Sequence, residues 1–542
     1  LKHAARRLIV ATALTSTISS SLSAQPGIGQ NGVVNSASQI PPTLPGGAIA
    51  RGALFTVSGV RLSSPTGKTT ATIEKQGEKP GAAVPVTIVS LQPRKMEAVM
   101  PATVLPGSYS LVISADGKQS KPFPVEVAAF NPGIFSRNLD GWGPGRIENL
   151  DAQGKRSDNS AANPARPGQQ VLLAATGMGA TKVATVVIGT RPVIAKASTG
   201  GARSGEERLT FAVPADVPLG CWVPVYVQIT PQRASNVVTM SIQKGSGLCN
   251  PGPLSLISAK AGVVAVLSRS RVKPARANLA DALTDDTRIL VKSAGRAPLL
   301  TRTDFPPAGT CITSSGSYQN DTELAISISS LIVPDTLGLD AGGEMVLQRA
   351  AGNGRQSESR EIPKIRENGM YRARLGAGGS AIARGVPERF LEPGNYRLEV
   401  RGGADTGPFA PEFSFPNEFQ WLDRDQIATV DRSRGVTVHW SGIPPAGDGR
   451  EQLVAAVVRN VDLITTAIGT CLCTAKASAG QITIPASMLA NIPVSIQHRG
   501  ERYDKLVLGS LSAKVIPGLK IKGVDEAVIF TVHDNGRIVD FK

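Results

Sequence analysis

A chain of 542 residues is long enough for about four domains of ~100 to 150 residues, each burying a core of its own. Gly (57) and Pro (39) make up about 18% of it, above the average ~12% but short of the ~25 to 30% of disordered low-complexity chains; with aromatics at 4%, the cores must rest on Val, Ile, Leu and Ala. The formal charge of +16 comes without an RNA-binding signature, a Cys/His finger or a basic helix carrying base-reading Asn or Gln, so no nucleic acid partner is expected.

Residues 1–24 read as a secretory signal peptide: Lys2, Arg6 and Arg7 precede the apolar run Leu8 to Leu14, and a Ser/Thr-rich stretch leads to Ser23, Ala24 and Gln25. No other stretch approaches ~18 uninterrupted apolar residues, so no transmembrane segment is expected apart from the signal peptide, and the chain is expected to be secreted, periplasmic or at the cell surface. A first module, residues 25–130, carries short β runs at Leu54 to Val57, Thr69 to Ile73, Val84 to Val89, Glu97 to Met100, Tyr109 to Ser114 and Phe123 to Ala128. Gly, Pro or charged turns separate them, which is the spacing of an immunoglobulin-like sandwich.

A second module, residues 131–249, repeats the progression at Val171 to Ala175, Ala184 to Ile188, Leu209 to Val213, Val223 to Ile229 and Val237 to Ile242. Both modules contain P-A-x-V-x-x-G, from Pro101 to Gly107 and from Pro214 to Gly220, an offset of 113 residues that is one domain long. Ser108 and Tyr109 of the first copy stand where the second has Cys221 and Trp222.

V-V-N-S-A-S at Val33, P-G-I-F at Pro132, N-S-A-A-N-P-A-R-P-G from Asn159, A-T-G-M-G at Ala175, G-C-W-V-P-V from Gly220 and S-N-V-V-T at Ser235 together resemble the tandem modules of a secreted paralogous family of acidobacteria of the Solibacter type. That family is similar to the IPT/TIG immunoglobulin-like domains. The resemblance covers about residues 30 to 250 and implies fold and export; the family has no established catalytic residues, so it implies no chemistry. Trp142, in a glycine-rich loop where a small or amide residue is usual, departs from its pattern, as do extra basic residues.

Residues 250–306 differ in texture and read as a basic connector, with a short helix at Ala275 to Leu283. Nine basic residues between Lys260 and Arg302 face only Asp281, Asp285 and Asp286, which reads as a solvated cationic surface. A third β-sandwich, residues 307–416, has strands at Glu323 to Val333, Glu344 to Arg349, Tyr371 to Leu375 and Tyr396 to Arg401. Its E-P-G-N-Y-R-L-E-V from Glu392 restates L-P-G-S-Y-S-L-V-I from Leu105. A fourth β-rich module, residues 417–542, has strands at Gly435 to Gly442, Val454 to Val458, Gln481 to Ile484, Val494 to Gln497, Lys505 to Ser510 and Ala527 to Val532, and one helical turn at Ser487 to Ala490. The fold class is all-β: tandem immunoglobulin-like (IPT/TIG-like) sandwiches with a mixed connector in the middle.

In an exported chain disulfides persist. Cys221 and Cys249 bracket a strand pair and its exit and are expected to bond; Cys311 is expected to pair with Cys471 or Cys473, which point the same way in a strand. No metal is expected at C-x-C, because the four His (His3, His439, His498, His533) are scattered singly. No cofactor is expected either: Gly177 and Gly179 lack the following helix that a dinucleotide site requires. No G-x-S-x-G nucleophile turn occurs, and Asn149, Asp151 and Gln153 alternate like a calcium loop but supply one carboxylate. Trp142, in G-W-G-P-G, is the candidate ligand-binding residue, placed to stack on a sugar ring or a partner; Trp222, Trp421 and Trp440 are expected in cores. The expected function is non-enzymatic binding, adhesion or scaffolding at the cell surface, toward polysaccharide or protein; the alternative is an extracellular hydrolase with its site in modules three and four.

Overall fold

In the computed structural model the described residues are 25–64, 67–77, 83–249, 262–275, 279–292, 305–317, 327–332, 337–352, 356–379, 385, 388–443, 452–496 and 504–542. The expected signal peptide lies outside them. The strand Gly107–Ala115 shows how the chain makes sheet: Tyr109, Leu111 and Ile113 are buried, and Ser110, Val112 and Ser114 between them are only half-buried. Its sheet, in the order Ile49–Ala50, Phe123–Ala128, Gly107–Ala115, Thr69–Lys75, Val84–Pro85, faces a second sheet of Gly27–Asn35, Leu54–Val60, Lys95–Val99 and Thr87–Leu91. Phe55, Val57, Met96, Ile73 and Leu111 share the one core between them. Residues 133–242 form a sheet wrapped around Val171, Leu173, Val186, Leu209, Val223 and Val225.

The repeated P-G and L-G turns have one backbone form. Gly107, Gly220 and Gly394 have φ of 145°, 152° and 149°, a region that side chains avoid. In two copies a tyrosine two residues on closes the corner, Tyr109 donating its hydroxyl to Leu105 O at 2.9 Å and Tyr396 to Glu392 O at 2.8 Å. The second module differs because its register shifts between Gly220 and Val223. One extra residue in a strand sends every later side chain to the other face. Val223, Val225 and Val227 therefore fill the core, and Trp222 is half-buried on the outward face, contrary to its expected place inside. Trp421 and Trp440 are buried, their indole N–H groups bonded to Asp423 Oδ1 and Ala477 O.

The second half is built on one eight-stranded sheet, in the order Thr310–Ser317, Ala467–Lys476, Leu453–Val461, Lys505–Ile521, Val524–Ile538, Gly262–Lys273, Ala282–Lys292, Tyr371–Gly379. The mixed region in the middle of the chain thus lies inside the sheet: Gly262–Lys273 runs parallel to Val524–Ile538 and antiparallel to Ala282–Lys292. Ala282–Lys292 is strand where the sequence suggested the end of a helix, and Ile328–Ile332 is a helical turn where it suggested strand. The eight-stranded sheet runs across both borders expected at 306 and 416, and 416 parts only the two smaller sheets. Two smaller sheets pack side by side on one face, Glu358–Pro363, Glu344–Arg349, Gly394–Val400, Glu412–Phe415 over Val263, Ala265 and Ile529, and Gln420–Trp421, Val436–Ser441, Gln481–Ile484 over Val454, Ala456 and Leu508. Two sandwiches share one wall.

The modules also touch. Leu54 N donates to Thr176 Oγ1 at 2.8 Å, Arg203 pairs with Glu97 at 3.0 Å, and Asn31 Nδ2 reaches Thr465 O at 2.6 Å. Ala234 and Val237 of the second module belong to the same core as Trp440 and Val454.

A Cβ added at Gly394 meets nothing within 4 Å, so Gly394→Ala is penalised by backbone strain alone, ~1 to 3 kcal/mol. Tyr396→Phe should cost about 1 kcal/mol by removing the corner bond. Denaturant midpoints check both, and a Gly394→Ala loss under ~0.5 kcal/mol would show that the φ is not required.

Candidate functional site

An open cleft of about 920 Å3 lies at one end of the second module. Its first wall is the turn after Leu150, where Asp151 Oδ1 accepts from the N–H groups of Gln153 and Lys155 at 3.0 and 2.8 Å and Gly154 takes φ 77°. The second wall, around Asn163 to Gln170, is tied to the first by Gln169 Nε2 donating to Leu150 O at 2.9 Å and by Asn149 Nδ2 donating to Asn163 O at 2.8 Å. Gly245 to Gly247 form the third wall. They lie between strand Val238–Ile242 and Cys249, whose N–H donates to Ala161 O.

Asn149 is buried, and it also accepts from Asn159 Nδ2 at 3.1 Å, so the Asn149, Asp151, Gln153 alternation builds a braced turn. The cleft carries one guanidinium, Arg166, and one carboxylate, Asp151, amid the amides of Asn163, Gln169 and Gln170. Such a surface offers hydrogen bonds in several directions and little net charge. A second groove, of about 720 Å3, lies beside Glu344–Arg349 and Gly394–Val400, where Arg349 pairs with Glu358 at 2.9 Å and Lys514 reaches Glu412 O.

Trp142 is half-buried in a loop held at both ends. Thr239 N donates to Gly143 O at 2.8 Å, Asn236 Nδ2 donates to Gly141 O at 2.7 Å, and Pro144 bridges to Thr239. Thr239 lies near the start of strand Val238–Ile242 and the cleft lies beyond its end, so the structure does not bring Trp142 into the cleft. Cys221 is bonded to Cys249, and the bond fastens the tail that forms the third wall. Cys311 is bonded to Cys473; Cys471 remains a thiol, pushed well above its usual range by burial.

Sequence reasoning missed two polar arrangements. His439 Nδ1 lies 2.7 Å from Asp423 Oδ2, and Asp423 Oδ1 in turn accepts from Trp421 Nε1 at 2.7 Å; its only sequence signal was a histidine beside a tryptophan. The other is an ionic seam between the two small sheets. Buried Arg269 pairs with Asp285 at 3.3 Å, Glu392 at 3.1 Å and Glu418 at 3.3 Å, while Arg271 and Arg389 also reach Glu418 at 3.1 Å. Lys273 pairs with Asp425 at 2.7 Å. Arg269, Arg271 and Lys273, expected as part of a solvated cationic surface, are thus neutralised by acids from far along the chain.

Burial pushes Asp285 up against the pull of Arg269 and of the Leu391 and Phe390 amides. Burial also works on Glu418, but Arg271, Arg389 and Arg269 hold it below its usual value. His533 is brought down to about 4 by burial, although its Nε2 lies 3.0 Å from Pro416 O. On the opposite face of the sheet Asp534 is pushed up to about 7 by burial and by Asp286; its Oδ2 accepts from Ile328 N at 3.2 Å, and its Oδ1 has no hydrogen-bond partner among the described residues.

These sheets, corners and bridges define the protein as an all-β chain of tandem immunoglobulin-like sandwiches. No described helix is long and apolar enough to cross a membrane. No family model and no curated protein matches the chain. Among solved structures it is similar to SGBP-B from a complex xyloglucan utilization locus in Bacteroides uniformis, with 12% identity over 72% of this chain and 98% of that one and a TM-score of 0.19. It is similar also to SGBP-B of the Bacteroides ovatus mixed-linkage glucan utilization locus, with 10% identity, 78% and 80% coverage and a TM-score of 0.14. A tetra-tandem repeat from the extending region of a large adhesion protein aligns at 10% identity, 94% and 99% coverage and a TM-score of 0.13. The fold assignment rests on the sheets described above and not on these likenesses.

Asp534 and His533 make opposite contributions to stability. A carboxyl raised from 3.8 to about 7 stabilises the fold fully below pH ~4 and loses that contribution as pH rises toward ~7; an imidazole lowered from 6.5 to about 4 contributes fully above pH ~6.5 and loses it as pH falls toward ~4. Asp534→Asn keeps the acceptor for Ile328 N and should raise stability at pH 8 by several kcal/mol, on the order of 4, with little change at pH 4. Denaturation at the two pH values checks the sign; an equal effect at both would show that Asp534 is not buried in its acid form.

Proposed function

We propose that the chain is an exported, non-enzymatic surface protein of the secreted family its sequence resembles, and that it binds polysaccharide in the cleft of the second module. One observation carries the reading: an open cleft of about 920 Å3 lined by braced amides, with a single opposed pair of charges. Sugar rings present dense hydroxyls that donate and accept, and amide side chains answer both roles. An open cleft suits a segment within a long chain better than a small molecule that needs enclosure. Because Gln169 and Asn163 are already held by backbone bonds, little side-chain freedom is lost on binding. The charge balance of Asp151 and Arg166 favours a neutral polysaccharide over an acidic one.

A glycan array probed at low and at high salt tests this. Binding to neutral glycans should survive high salt and fall about tenfold or more, ~1.4 kcal/mol, in Arg166→Ala with Gln170→Ala. Trp142→Ala should leave that binding unchanged. Absence of any glycan ligand at low salt would remove the polysaccharide reading, and loss through Trp142→Ala alone would move the site to the 138–144 loop.

A further inference from the structure

Three of the five cysteines meet on two paired strands. Cys311 of Thr310–Ser317 stands directly across from Cys473 of Ala467–Lys476. Cys471 is two residues before Cys473 on the same strand, its Sγ is 3.8 Å from that of Cys473, and all three sulfurs lie within 4.8 Å of one another. The Cys311–Cys473 bond occupies two of them, and Cys471 is the one free cysteine in the chain. A cross-strand bridge needs only two cysteines, and a third in contact with it invites mispairing in an oxidising compartment. Cys471 packs in the apolar core as a small hydrophobe, a role that does not by itself call for a thiol in contact with the bridge.

We infer that, once the Cys311–Cys473 bond is reduced, Cys311, Cys471 and Cys473 form a three-sulfur site for a soft monovalent cation, Cu(I). Thiolate donors select Cu(I) over harder ions. Zinc asks for four ligands in a structural site, and among the described residues no His, Asp or Glu joins the three sulfurs. Cys471 and Cys473 lie in the same buried apolar core as Trp440, Val458, Met488 and Leu508, and Cys311 packs against it, so the bound ion would be kept from water. Cys311, half-buried where the other two are buried, gives the side of entry.

The disulfide is the gate. A dithiol supplies two electrons and two protons and leaves as its own disulfide, or a phosphine supplies two electrons, takes the oxygen of one water and leaves as its oxide while that water's two protons go to the sulfurs; in both cases the S–S bond breaks to two thiols. Cu(I) then displaces thiol protons to solvent as the Cu–S bonds form. In the oxidised chain Cys471 alone remains, too few donors to hold the ion.

The test uses the full chain carrying Cys221→Ser and Cys249→Ser, so that the other bridge contributes no thiol. After anaerobic reduction with a phosphine, Cu(I) is titrated against bicinchoninate. One equivalent should bind with a near-ultraviolet sulfur-to-copper band, and the unreduced chain should take up none. Adding Cys471→Ser should weaken binding at least tenfold. Cys311→Ser leaves Cys471 and Cys473 as thiols without any reductant, and should bind Cu(I) at least tenfold more weakly than the reduced trio. The inference is overturned if the reduced chain binds no Cu(I), if Cys471→Ser binds as tightly as its parent, or if reduction abolishes the near-ultraviolet circular dichroism of the fold.

Discussion

The joint between the first two modules is the constraint on which the arrangement of the N-terminal half depends. Asn35 caps its own turn, its Oδ1 accepting from Ala37 N and Ser38 N, and that same oxygen lies so close to Gly133 that a side chain there would collide with it. Gly177, at φ 87°, would put a Cβ 2.5 Å from Asn131 O. Asn236 then binds both the N–H and the C=O of Ile134, at 2.8 Å each. Ala37, Leu54 and Phe135 pack together at the same place. Backbones brought this near to side-chain amides have one satisfied geometry, so the two sandwiches are held at one angle instead of swinging on a linker.

These residues fall in V-V-N-S-A-S, P-G-I-F, A-T-G-M-G and S-N-V-V-T, so four of the six segments that carry the resemblance are segments of a joint. Gly177, which lacks the following helix that a nucleotide turn requires, is a glycine because a Cβ there would strike Asn131 O. The same logic decides what else was legible. Alternating runs such as Gly107–Ala115 declare their strand and their buried face within nine residues. Gly262–Lys273 does not: it reads G-V-V-A-V-L and then S-R-S-R-V-K, apolar without alternation and then basic. Both halves follow from its place beside Val524–Ile538 and Ala282–Lys292, since a central strand covered on both faces needs continuous apolar residues, and its arginines need acids that the chain supplies more than a hundred residues later. Parallel pairing between residues 262 and 526 leaves no local mark at all. Trp222 was misplaced for a similar reason, because a bulge after Gly220 is a property of two strands and the repeat that aligned it with Tyr109 is a property of one.

The cleft was half legible. Its turns were visible as Asn, Asp, Gly and Pro clusters, but the sequence could not show that Asn149 turns inward or that Gln169 crosses to Leu150, and it drew attention instead to Trp142 at the far end of the strand. The disulfide between Cys221 and Cys249 bears on the cleft too, since the glycines between Ile242 and Cys249 are one of its walls. Three glycine-rich residues with φ such as the 108° of Gly247 would otherwise be the most pliable part of the site.

Rigid joints change how such a protein would engage a polymer. Separate beads on flexible linkers gain from an effective local concentration that depends on linker length. Here the first module is bonded to the C-terminal half through Asn31 and Gly46, whose N–H meets Asn491 Oδ1 at 2.9 Å, and the second through Ala234 and Val237. The cleft of the second module and the groove beside Gly394–Val400 are then carried on connected walls at a set separation. If polysaccharide occupies the cleft as proposed, a ligand long enough to reach the groove as well would be selected by its own length and stiffness and not by the reach of a linker.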